Sequence, residues 1–207
     1  MSTLLIRISL FLLLLCTGIA SAHDLVLTTG YANSGTPRVG RGISQSNKPF
    51  RAGGGYAFGA HADIESKQRR FMFGPSFLFW NNLTGDPDPN ANASYLQVEL
   101  GGRFAVRTRT YPCLYAGVGA GYTFAHGELK QKTYNPLPAQ EYDGEFPTAT
   151  LLAGFKTPTA NDNLGLVGEF SYHFGLDKPD DPRSVGPARA FLIQIGLAFG
   201  VRAGGQP

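Results

Sequence analysis

The feature that most constrains this chain is a strict two-residue alternation of apolar with small or polar side chains, clearest near the C-terminus. Phe191, Ile193, Ile195, Leu197, Phe199 and Val201 alternate there with Leu192, Gln194, Gly196, Ala198 and Gly200. Successive side chains of a β-strand point to opposite faces, so this spacing predicts a strand with one uniformly apolar face. The pattern recurs upstream. Leu164, Leu166, Phe170, Tyr172 and Phe174 oppose Gly165, Val167, Glu169, Ser171 and His173, and Leu96, Val98, Leu100, Phe104 and Val106 oppose Gln97, Glu99, Gly101, Arg103 and Arg107. Together with Leu25, Leu27 and Tyr31 at the start, the alternation predicts eight strands. They cover residues 24–33, 49–63, 69–81, 94–107, 113–125, 146–156, 163–175 and 189–201. Pro75 interrupts the aromatic run Phe71, Phe73, Phe77, Phe79 and predicts a bulge or a gap in the hydrogen-bond ladder.

The segments between these strands alternate in length. Residues 34–48, 82–93, 126–145 and 176–188 are long and polar, whereas 64–68, 108–112 and 157–162 are short. Asp86-Pro87-Asp88-Pro89-Asn90 and Asp177-Lys178-Pro179-Asp180-Asp181-Pro182 have the chemistry of exposed connections. A chain threaded up and down through a bilayer places alternate connections on opposite sides, short ones inside and long ones outside. The fold class expected is therefore all-β: an eight-stranded antiparallel up-and-down transmembrane β-barrel with four external loops. The 27 glycines and 12% aromatic residues suit curved, closed strands.

Two units are expected. Residues 1–22 read as a cleavable signal peptide, with Arg7 as the positive region, Ile8 to Leu15 as the apolar core and Ala20-Ser21-Ala22 as the cleavage site. Residues 23–207 form the barrel domain. Leu15 precedes Cys16 where a lipidation motif needs a small residue, and removal of the signal leaves Cys113 with no intramolecular disulfide partner. A net charge of +3 is too small an excess to argue for nucleic acid.

Over nearly the whole mature chain the pattern resembles the small outer-membrane barrel superfamily, the opacity-protein, OmpA-barrel and OmpX type. Tyr115-Ala116-Gly117-Val118-Gly119-Ala120-Gly121-Tyr122 is similar to a Gly-alternating strand of that group. Gln194-Ile195-Gly196-Leu197-Ala198-Phe199-Gly200-Val201 resembles the last-strand signal read by the barrel-assembly machinery. The resemblance implies a monomer in the cell outer membrane, whose partners are outer-membrane lipids, the assembly machinery and a surface ligand or a host or envelope protein at the loops.

With apolar faces toward lipid, the lumen would gather Arg51, His61, Gln97, Glu99, Arg103, Arg107, Lys156, Glu169, Ser171, His173 and Gln194. Eight strands enclose a space that side chains fill, so these groups are expected to pair with one another and plug the lumen. A structural or surface-interaction role is expected rather than catalysis. One alternative is an acyl hydrolase: Glu169, Ser171 and His173 share a strand face and include nucleophile, base and carboxylate. This resembles the outer-membrane lipid A deacylases, although their His-x-Ser order is reversed here in Ser171-Tyr172-His173. Another alternative is a soluble lipocalin-like carrier, with the apolar faces turned inward. His23, His61, His126 and His173 lack metal-ligand spacing, and Gly53-Gly54-Gly55 does not join a strand to a helix, so neither metal nor cofactor is expected.

Overall fold

The computed structural model describes residues 24–34, 54–65, 71–83, 90–106, 113–130, 140–158, 164–176 and 189–200. The expected signal segment, Arg51, Arg107 and the tail after Gly200 lie outside the described residues. Eight strands are present: β1 (Asp24–Ser34), β2 (Gly54–Glu65), β3 (Phe71–Leu83), β4 (Asn90–Val106), β5 (Cys113–Lys130), β6 (Gln140–Pro158), β7 (Leu164–Gly175) and β8 (Arg189–Gly200). Each pairs antiparallel with its sequence neighbour, and β1 pairs with β8 to close the barrel.

Every strand pair keeps one register along its described length, and those registers fix the shape. Following Cα partners from Ile64 through Phe73, Gly102, Val118, Leu151, Tyr172, Phe191 and Asn33 leads back to β2 at Gly54. The return point lies ten residues from the start, a shear number of ten. For eight strands with standard rise and spacing, this corresponds to a tilt of about 40° from the axis.

Alternation then sorts the side chains. Outward positions are apolar all round the wall, with Val118 61% and Ile195 68% exposed. Inward positions carry Gln97, Glu99, Arg103, Thr150, His173 and Gln194, all buried. A polar interior within an apolar exterior is the distribution of a barrel solvated by lipid. It is the reverse of the lipocalin arrangement. Outward aromatics gather at two levels: Tyr56, Phe58 and Phe79 pack together toward one end, and Phe71 stacks on Phe73 toward the other. Such girdles mark the two membrane interfaces.

Strands β3 to β6 run further than the alternation predicts, β3 by two residues at 82–83. Residues 90–93, 126–130 and 140–145, expected in connections, continue β4, β5 and β6. Residues 84–89 between β3 and β4 are consequently no more numerous than 107–112 between β4 and β5, so the long–short rhythm does not hold at that hairpin. The cause is physical: a strand leaving the hydrocarbon layer needs no apolar face, and its backbone ladder can continue without the sequence signal. Pro75 does break a ladder. Register is kept from Ala57↔Trp80 to Glu65↔Met72, but Ala62 and Asp63 have no ladder partners on β3, which is a gap rather than a bulge.

Candidate functional site

The candidate site is the lumen. Its centre is a hydrogen-bonded belt organised by Gln97 on β4. Gln97 Nε2 donates to Glu99 Oε2 at 2.6 Å and to Thr150 Oγ1 at 3.0 Å. Thr150 in turn donates to Glu99 Oε2 at 2.6 Å. Thr150 has one hydroxyl proton, and Glu99 receives it. His173 Nδ1, 3.0 Å from Thr150 Oγ1 and 3.1 Å from Gln97 Oε1, therefore acts as a donor. The other ring nitrogen, Nε2, is left to accept from Ser171 Oγ at 2.8 Å. Thr123 and Thr148 extend the belt toward the end away from the termini, with their hydroxyls 2.6 Å apart.

Nearer the termini the belt becomes ionic. Arg103 Nη1 bonds Asp63 Oδ1 at 2.9 Å, and its Nε lies 3.8 Å from Glu169 Oε1. His61 Nε2 is 3.5 Å from Asp63 Oδ2, and Tyr115 donates to Glu169 at 2.8 Å. Lys156 pairs with Asp24, while Gln194 Nε2 donates to Thr28 at 2.9 Å on the far wall. Between the two parts lies a cavity of about 30 Å³, bordered by Ser76, Glu99, Arg103, Glu169, Ser171 and His173. It has room for one or two water molecules.

Apolar layers flank the polar belt on both sides. Toward the loop end, Trp80 stacks on Tyr95 at 5.1 Å within a cluster that includes Ala32, Ala57, Ala93, Ala125 and Leu192. Toward the termini, Met72, Ala105, Tyr115 and Leu152 form one cluster and Val26, Val167 and Ala198 another.

All the lumen residues expected from the sequence that fall within described strands occupy inward positions, but the partnerships differ from a hydrolase. Ser171 and His173 meet; Glu169 turns instead to Tyr115 and the guanidinium of Arg103. Glu99, from another strand, reaches the histidine only indirectly, through Thr150 and Gln97. Sequence reasoning did not single out Asp63, Tyr115, Thr150 or Trp80. Each has the inward parity of its strand, so a search for polar and aromatic residues at those positions would have found them. Among the described residues no group of three or more His, Cys, Asp or Glu side chains is arranged to hold a metal ion.

A closed, lipid-facing barrel of eight up-and-down strands around an internally paired polar belt defines the class: the fold of the small outer-membrane barrels. Neisserial surface protein A is similar at a TM-score of 0.54 and 10% identity, covering 86% of this chain and 96% of that one. Ail, the attachment invasion locus protein of Yersinia pestis, is 17% identical at a TM-score of 0.45, covering 86% and 99%. OprG from Pseudomonas aeruginosa is 14% identical at 0.44, covering 87% and 98%. No family model and no curated protein sequence matches the chain.

Proposed function

We propose that the chain is exported by its N-terminal signal peptide and resides in the outer membrane as a monomeric barrel with a plugged lumen and four external loops. Its role is structural or one of surface interaction at those loops. The observation that supports this reading is the burial and pairing of the polar side chains inside the barrel. Arg103 and Asp63 are buried and bonded to each other, as are Gln97 and Glu99, with the fully buried Trp80 and Tyr95 above them. Charges held in a narrow interior are tolerated because they are paired, and side chains bonded across so narrow a space are expected to block a continuous water path. The β5–β6 hairpin, among the longest strands of the barrel, carries the exposed pair His126 and Asp143 beyond the aromatic girdle and offers polar surface to a partner.

The test combines location and conductance. The protein is expected in outer-membrane fractions, with gel mobility that changes on heating, and to give no ion conductance in planar bilayers. Recovery as a detergent-free soluble monomer would overturn the location, and steady single-channel currents would overturn the plug.

An acyl-hydrolase reading has one observation in its favour, the Ser171 hydroxyl directed at His173 Nε2. Against it, both side chains are buried inside the barrel beside a cavity of about 30 Å³, too small for an acyl chain. Release of fatty acid from lipid A by the wild type would favour it.

A further inference from the structure

Among the described residues, the seam between β2 and β3 has the fewest paired positions in the wall. It has seven paired positions, whereas β1–β2 has ten and β4–β5 seventeen. Two causes are visible. At one end the ladder stops at Ala57↔Trp80, where the Asn81 side chain accepts from the Tyr56 amide at 3.1 Å in place of a backbone carbonyl. In the interior, Pro75 has no N–H to give to β2, whereas its pairing with Leu100 on β4 is unbroken. The strands are nevertheless close there: a Cβ on Gly74 would lie 1.7 Å from the Ala62 carbonyl oxygen.

The ion pair of the lumen crosses this same interruption. Asp63 on β2 is one of the two residues without a ladder partner on β3, and Arg103 belongs to β4, two strands away. Its guanidinium reaches over β3 to bond Asp63 at 2.9 Å. Gly74 and Gly101, paired on the inner face between them, put no side chain in its path.

We propose that the Asp63–Arg103 pair is a latch that holds β2 against β3 where the backbone ladder is missing, so that breaking it lets these two strands part locally while the other seams stay shut. Two features make the latch separable from general stability. Glu169, 3.8 Å from Arg103 Nε, still compensates the cation when Asp63 is neutralised. The ladder between β3 and β4 runs unbroken from Phe71 to Leu83, so β3 keeps its other neighbour.

Amide hydrogen exchange of the folded protein in lipid nanodiscs, resolved by strand, tests the proposal. Asp63→Asn is expected to speed exchange at Ile64 and Phe73 by about tenfold, leaving Gly117 to Thr123 on β5 unchanged. Pro75→Val, which restores an amide donor facing β2, is expected to return exchange in the Asp63→Asn background to within about twofold of the wild type. Arg103→Gln removes the same pair from the other side and gives the readout if Asp63→Asn does not fold. Unchanged exchange at the seam, equal acceleration in every strand, or no rescue by Pro75→Val would each overturn the latch.

Discussion

Ser171 and His173 stand two positions apart on β7 with Oγ and Nε2 2.8 Å from each other, and the imidazole is oriented by Gln97 and Thr150 rather than by a carboxylate. The pair has the proton arrangement of a nucleophile and its base without the access either would need. Its surroundings identify it as part of a buried network whose members fix one another's orientation.

Ser171→Ala should therefore cost about 1 kcal/mol of stability, the net worth of one buried hydrogen bond. It should change no enzymatic property, because none is expected of the wild type. Unfolding midpoints in detergent and fatty-acid release from lipid A, measured on both proteins, check the two halves of this statement.

Ile195 lies near the middle of β8 and is 68% exposed on the outer wall. Ile195→Arg should lower stability in bilayers by about 2 to 4 kcal/mol, the cost of a cation at the midplane of a lipid-facing strand. The same substitution in detergent micelles should cost less, since a micelle admits water more readily. Denaturant titration in vesicles and in detergent provides the comparison.

Two glycines should differ sharply in their response to one added methyl group. A Cβ at Gly121 would lie 2.0 Å from the backbone oxygen of Val98 and 2.6 Å from Glu99 Cα, atoms that can move only if β4 and β5 separate. Gly121→Ala should cost about 1 to 3 kcal/mol. At Gly102 the nearest neighbour is the Phe71 ring at 3.1 Å, a flexible lipid-facing side chain. Gly102→Ala should be neutral within about 0.5 kcal/mol. Thermal or denaturant unfolding of the two variants side by side checks the contrast.

Topology is open to labelling in intact cells. Asp143, whose side chain is 86% exposed, stands on the β5–β6 hairpin at the barrel end opposite Asp24 and Gly200. In Cys113→Ser protein carrying Asp143→Cys, a membrane-impermeant maleimide should react without permeabilisation. A tag placed after Pro207 should stay inaccessible until the outer membrane is opened. The reverse pattern would invert the orientation.

Much of the fold was legible because lipid and lumen impose opposite chemistry on adjacent residues. Even the sparse first strand, with Leu25, Leu27 and Tyr31, is found in place as β1, between β2 and β8. The extensions at 90–93, 126–130 and 140–145 were not legible, since outside the hydrocarbon layer hydrogen bonding alone maintains a strand. Pro75 announced an interruption from sequence, yet only the register showed that no residue is inserted there.

The sequence by itself determined the strand number, the two faces and the inward set of polar residues, because a two-residue period assigns each side chain to a face wherever the strand goes. What only the tertiary structure decided was which inward residues meet. Arg103 finds Asp63 forty positions away and two strands over, and Glu169 finds Tyr115 rather than His173. Those meetings depend on the shear of ten, which sets the height of every residue on the barrel axis relative to residues on other strands. Alternation within a strand carries no information about that height, and closure of the sheet supplies it.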